Sequence, residues 1–274
     1  MKLDLLPAHS GKDENEELVV QPHIPVMIPI SAGDTWLGTG PDQIRFMVGH
    51  EDWALEWEER DMFLVEQPLH KLFLPAFEIA KFPITNDDYY QFVLDANYRV
   101  PKGWSGLRYI DEFKEHPVTW VSWRDALAYT KWISSKTGEN YRLPTEAEWE
   151  KASRGIDQRV YPWGDTFDPW RCNTIESGKH QTTPVGSYTP GGDSPWEVCD
   201  LVGNVWEWTS SLLINYPYQA GDGRENLATP GKRVTRGGAW YYSRKLARCS
   251  SREGMLPDYT SNALGFRLAR SPKR

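Results

Sequence analysis

Residues 201–209 read LVGNVWEWT, and the rest of the chain makes sense as scaffolding and surface around them. Gly203-Asn204 is a turn dipeptide that tolerates positive φ. Val205-Trp206-Glu207-Trp208 then alternates as a strand does, with two indoles on one face and a carboxylate on the other. An acidic side chain between two tryptophans needs a partner, and spacing alone leaves two readings open. In one, Asp200, the carbonyls of Gly203 and Val205, and Glu207 converge on a cation; an all-oxygen set from a tight loop suits calcium better than zinc. In the other, Glu207 is a buried acceptor for an arginine or for indole N–H groups.

Composition bounds what surrounds that stretch. A chain of 274 residues is one large domain or two, and 25% charged with 39% hydrophobic residues describes a soluble globular protein. Its 14 tryptophans, 13 tyrosines, 20 prolines and 22 glycines predict a loop-rich fold with an aromatic rather than leucine-rich core. A net charge of −7 argues against nucleic-acid binding, which calls for a basic face. No segment has the length of a membrane span, and the N-terminus lacks a continuous apolar run for export. Cys172, Cys199 and Cys249 are odd in number and widely spaced, which fits neither a disulfide framework nor a zinc site and points to the cytoplasm.

Residues 1–22 are polar and charged and read as a flexible lead-in, a linker left from a larger polypeptide. Regular structure is expected from the apolar run His23–Ile30, whose prolines place it at a sheet edge. A strand resumes at Trp36-Leu37-Gly38. Residues 43–66 read as a long polar, acidic insertion, and residues 67–79 as one alternating strand. Thr85 caps a helix running to about Ala96, with Tyr89, Phe92 and Val93 inward. Ser122 caps a second, with Ala126, Tyr129, Trp132 and Ile133 buried and Gly138 as its stop. Thr145 and Glu148 form a capping box for a short helix ending at Gly155.

Six ordered segments, RLPTEAEWEKASRG (142–155), YPWGD (161–165), TTPVGSY (182–188), LVGNVWEWT (201–209), RVTRGGAW (233–240) and NALGFRLAR (262–270), resemble the formylglycine-generating enzyme, or sulfatase-modifying factor, domain family. The resemblance implies a single α+β domain over residues 23–274 of C-type-lectin-like fold, loop-rich, with two main helices and small antiparallel sheets. It also implies that Asp200, Gly203, Val205 and Glu207 hold a structural calcium, with a second cation site near Asn173-Thr174, where the following loop is shorter here.

Family membership does not settle activity. The sulfatase-modifying enzymes use two cysteines just after the RGG(S/A)W motif to bind copper(I), and two soft thiolates suit that metal. Here Tyr242 stands at the first cysteine position and the second falls in a deletion; Cys249 matches a non-catalytic position and reads as a small buried hydrophobe. A related branch that makes sulfur-containing histidine betaines holds iron with three histidines. None of His9, His23, His50, His70, His116 and His180 has that branch's spacing.

The segment of about 239–263 is rich in Tyr, Ser and Arg, the composition of a paratope. Here the chain resembles the family branch serving as variable proteins of diversity-generating retroelements. By that resemblance Arg236, Arg244, Arg248, Arg252 and Arg267 are framework, paired with carboxylates or stacked on tryptophans. Tyr241, Tyr242, Ser243, Leu246, Glu253, Met255, Leu256, Tyr259, Thr260, Ser261 and Ala263 stand at diversified positions. The expected function is non-enzymatic binding of a protein ligand by this segment on a calcium-stiffened scaffold. The alternatives are a metal-dependent oxidoreductase of the formylglycine-generating type and a sensory or effector module of a larger polypeptide.

Overall fold

The computed structural model describes residues 22–272, so the polar lead-in, apart from Pro22, lies outside the described residues. In chain order the elements are β1 (Met27–Ile30), β2 (Gly33–Leu37), α1 (Pro41–His50), α2 (Ala54–Glu59), β3 (His70–Leu74), β4 (Phe77–Ala80), α3 (Asn86–Ala96), α4 (Trp123–Thr137), β5 (Tyr141–Arg142), α5 (Glu146–Arg154), β6 (Trp206–Leu212), β7 (Arg233–Arg236), β8 (Arg252–Met255), β9 (Leu264–Phe266) and β10 (Ala269–Arg270). No helix among the described residues is long and apolar enough to cross a membrane.

Local chemistry sets the three helices read from sequence. Thr85, Ser122 and Thr145 each accept a backbone N–H from Asp88, Asp125 and Glu148, whose carboxylates reach back to the cap. Each such cap is worth about 0.5–2 kcal/mol. Helix α4 ends at Gly138 with φ 71°, a left-handed stop that glycine takes without strain.

Two expectations are corrected. Residues 43–66 are not a loop-like insertion: they form most of α1, all of α2 and a 3-10 turn at Met62–Glu66. The inner faces of these elements bury Ile44, Met47, Ala54, Trp57 and Phe63 with Val160, Tyr161 and Ala247 from distant segments. Their polarity is that of the outward face of amphipathic helices. The single strand over 67–79 is two, β3 and β4, and they enter different sheets. Pro75, which has no N–H for a ladder, sits at the break.

One four-stranded sheet runs β1-β4-β10-β5, with β1 at the edge its prolines require. Strands β2 and β3 pair separately, and the third sheet runs β8-β7-β6-β9. The sheets are small and antiparallel except that β9 lies parallel to β6. Every residue of β6 is buried. Trp206 and Trp208 enter the main core with Tyr89, Phe92, Trp123, Tyr129 and Phe266, an aromatic core as composition predicted. Glu207 faces the other way, toward Trp149 of α5.

Candidate functional site

Seven arginines, Arg154, Arg224, Arg233, Arg236, Arg248, Arg252 and Arg267, are among the largest fully buried side chains. A buried guanidinium is tolerated only when paired and hydrogen-bonded, and these have partners. Arg267 donates from Nε to Glu207 Oε2 at 2.6 Å and from Nη2 to Oε1 at 2.7 Å. Its remaining N–H groups reach the carbonyls of Ala80, Lys81, Cys199 and Asp200 at 2.9–3.3 Å. Trp149 Nε1 adds a third donor to Glu207 at 2.8 Å.

The same device recurs along the C-terminal segment. Arg248 grips both oxygens of Glu66 at 2.6 and 2.8 Å, and Thr39 and Ser250 hydroxyls donate to the same carboxylate. Burial pushes the Glu66 carboxyl up, but Arg248 and these donors outweigh it and hold the group below its ordinary range. Arg236 pairs with Glu150 and lies 5.3 Å from the Trp149 ring centroid. Arg252 pairs with Glu146 at 2.8 Å and lies 4.1 Å from the Tyr216 centroid. Burial keeps Glu146 above its ordinary value despite the arginines around it. Arg244, half-buried, reaches Glu51 and Asp52 at 2.7 Å each. The framework arginines expected from sequence are therefore ion-paired, and the helical 41–66 region supplies three of the carboxylates.

Between these anchors lie the residues expected to bind. Tyr241 stacks on Tyr242 with ring centroids 4.5 Å apart, Trp240 meets Tyr241 edge-on at 4.8 Å, and Tyr242 meets Trp206 edge-on at 5.9 Å. Burial pushes the Tyr242 phenol up. Ser243 and Leu246 are half-buried, as are Met255, Thr260 and Ser261, while Glu253, Leu256 and Tyr259 are exposed. Leu256 is 62% exposed and Tyr259 45%. Ala263 departs from the expectation: it is fully buried in the core, its carbonyl accepting the Trp206 N–H, and so is closed to a ligand.

Asp200, Gly203 and Asn204 take left-handed φ of 54°, 80° and 62°, the local turn read from sequence. A Cβ on Gly203 would stand 2.4 Å from the Asn173 carbonyl oxygen, so only glycine fits. Asp200 accepts the Gly186 N–H at 2.6 Å, and burial pushes its carboxyl up to about 6. The Arg267 guanidinium links two of the residues expected to hold calcium, donating to the Glu207 carboxylate and to the Asp200 carbonyl. Asn173 and Thr174, where the second cation site was expected, are fully buried; Asn173 donates to the Gln181 carbonyl at 2.9 Å. Among the described residues no three His, Cys, Asp or Glu side chains form a metal-ligand group. All three cysteines are free and buried; burial pushes Cys172 and Cys199 up to about 12 and Cys249 to about 11.

Two clefts open beside the segment. One, of 320 Å³, has aromatic walls from Trp104, Phe113, Trp120 and Trp240, with Asn262 on its rim. The other, of 440 Å³, is polar and includes Arg99, Lys102, Asp125, Asp258 and Thr260. Trp120 lines both. Its φ of 61° is an outlier for a bulky residue, a conformation that costs about 1–3 kcal/mol and is held where neighbours fix it. Its N–H donates to the Ser261 carbonyl at 2.8 Å, inside the expected binding segment. Sequence reading passed over these residues; the only signal was the abundance of tryptophan in loops.

The chain is 34% identical over 264 residues to "Inactive C-alpha-formylglycine-generating enzyme 2" of Bos taurus, covering 74% of this chain and 80% of that one. It is 39% identical over 198 residues to the formylglycine-generating enzyme of Streptomyces coelicolor, covering 65% of this chain and 59% of that one. The solved structure of Treponema denticola variable protein 1 superposes with a TM-score of 0.68 at 22% identity, over 90% of this chain and 95% of that chain, which shows a common fold. With residues 13–272 matching the family model, the chain belongs to the sulfatase-modifying factor enzyme 1-like domain family.

Proposed function

We propose that the chain is a non-enzymatic binding protein presenting Tyr241, Tyr242, Ser243, Leu246, Glu253, Met255, Leu256, Tyr259, Thr260 and Ser261 to a protein ligand. The observation that carries this is the alternation along 236–267 of arginines ion-paired with carboxylates, buried ones for all but Arg244, with half-exposed or exposed Tyr, Ser, Leu and Met. Such a segment is ordered before it meets a ligand, so its ordering is not charged against binding. By the family resemblance Tyr242 stands at the position of the first catalytic cysteine; it stacks on Tyr241 and meets Trp206 edge-on, and the three thiols are separately buried. The bovine relative carries the word inactive in its name, and the streptomycete relative is named as an enzyme. Diversification of these positions by a retroelement is part of the proposal.

The deciding experiment gives the purified chain copper(I), oxygen, a thiol reductant and a cysteine-containing sulfatase-type peptide, and looks for peptide aldehyde by mass spectrometry. No aldehyde is expected; its formation restores the oxidoreductase reading. In parallel, Tyr241→Ala and Tyr259→Ala are expected to weaken binding of selected peptides while leaving the melting temperature nearly unchanged.

We also propose that Asp200 and Glu207, with the Gly203 and Val205 carbonyls, hold a structural calcium. Two carboxylates and a left-handed turn fit a hard cation, which would share Glu207 with Arg267. A chelator should then lower the melting temperature, with calcium recovered from the untreated protein. A chelator without effect removes the ion and leaves Arg267 as the sole cation of that site.

A further inference from the structure

We infer that the two clefts astride Trp120 form one groove for an extended acidic peptide, its ring-bearing residue in the aromatic cleft and a neighbouring carboxylate over Lys102. This deepens the binding proposal and rests on it. Three observations lead there. The clefts share a wall, Trp120, whose backbone is held in a left-handed conformation by the Ser261 carbonyl. Gly103 supports that placement, since a Cβ there would stand 2.6 Å from the Trp120 ring. The binding segment forms the rim of both, with Asn262 over the aromatic cleft and Thr260 over the polar one.

Charge decides the ligand. In the polar cleft Arg99 is paired with Asp125 at 2.6 Å, and Asp258 is taken by Arg124 at 2.8 Å. Lys102 is exposed and, among the described residues, pairs with no carboxylate; its ammonium lies 5.3 Å from the Trp120 ring centroid. The unspent charge of that cleft is therefore positive, and it sits on the shared wall. In the aromatic cleft two of the wall rings have their N–H groups taken: Trp104 Nε1 donates to Asn86 at 3.0 Å and Trp240 Nε1 to the Asn262 carbonyl at 3.2 Å, so these two offer ring faces to a ligand. Aromatic walls of this kind take proline or an aromatic side chain in an extended peptide. Affinity then comes from groups outside the proposed diversified set, while residues on the rim tune choice.

The test pans a displayed library of random linear peptides on the native chain, synthesises the enriched sequences, and measures their Kd on native, Lys102→Glu and Tyr259→Ala proteins by fluorescence anisotropy. Enriched peptides are expected to carry Asp or Glu beside a proline or aromatic residue. Lys102→Glu, a change at an exposed position, should weaken them by about tenfold or more. Replacing the peptide's acidic residue with lysine should restore binding to Lys102→Glu. Enriched peptides that bind Lys102→Glu as tightly as native protein overturn the groove. If Tyr259→Ala still weakens those peptides, the binding-face proposal survives that failure; if it does not, or no sequence enriches, both fall.

Discussion

Glu207 is the residue at which structure and energy can be compared most directly. It is 1% exposed and receives two N–H groups from Arg267 and one from Trp149. In Glu207→Ala the Arg267 guanidinium keeps its four backbone carbonyls but loses the only carboxylate it is paired with among the described residues. Removing one partner of a buried ion pair destabilises by about 3–5 kcal/mol, because the other charge stays buried without compensation. At about 2–4 °C per kcal/mol for a domain of this size, the melting temperature should fall by about 6–20 °C. The orphaned indole N–H adds to the loss but relaxes with it, so the two are not summed.

The assay is thermal unfolding by circular dichroism, with Glu207→Ala, Arg267→Met and the double variant Glu207→Leu/Arg267→Met measured with and without a calcium chelator. The double variant removes both charges and should lose less than the two singles combined, by about 0.5–3 kcal/mol. A fall of less than about 2 °C for Glu207→Ala, on the scale just used, refutes the pairing as a stabilising contact. Strict additivity does the same. If the effect of Glu207→Ala is large in calcium and vanishes in chelator, the ion rather than Arg267 is the dominant partner.

Three further outcomes are expected. Gly203→Ala should abolish soluble expression or strongly lower the melting temperature, because its Cβ would stand 2.4 Å from backbone oxygen at a φ of 80°; a stable variant would refute that close approach. Burial holds His70 and His116 below the ordinary histidine value of 6.5, so the unfolded chain binds more protons just beneath that pH. Stability from these groups is complete above 6.5 and lost as pH falls toward their folded values. His70→Gln should flatten that part of the profile, and an unchanged profile would count against it. Finally, a thiol reagent should leave Cys172, Cys199 and Cys249 unlabelled in native protein and label all three after denaturation; rapid native labelling would show an open thiol.

What sequence reading recovered was set by how local each signal is. The caps Thr85, Ser122 and Thr145 bond to residues three positions away, so a short window contains both partners. The turn at Gly203-Asn204 is similarly self-contained. Glu207 was left between two readings because its donors, Trp149 and Arg267, lie 58 and 60 residues off. Residues 43–66 looked solvent-facing because half of each helix is, and because Glu66 meets Arg248 across 182 residues. Ala263 looked like a surface position since it follows Tyr259, Thr260 and Ser261, yet its carbonyl is already in the β6 ladder. The family resemblance supplied the long-range order that spacing lacked, and the five arginines it singled out are ion-paired in the structure.

The buried arginines then explain how such a loop-rich segment can be both irregular and rigid. A strand or helix fixes its backbone through its own ladder, which also dictates which side chains point outward. Residues 237–251 carry little ladder and are held instead by Arg236, Arg244, Arg248 and Arg252 on Glu150, Glu51, Glu66 and Glu146. Each anchor acts through a side chain, so the intervening positions are free of backbone periodicity. Substituting Tyr241, Ser243 or Leu246 leaves every ion pair intact. Substituting a paired arginine strands a carboxylate, at about 3–5 kcal/mol where both partners are buried. A fold stabilised in this way tolerates change where a ligand would sit and resists it at the anchors, the division of labour a binding scaffold requires.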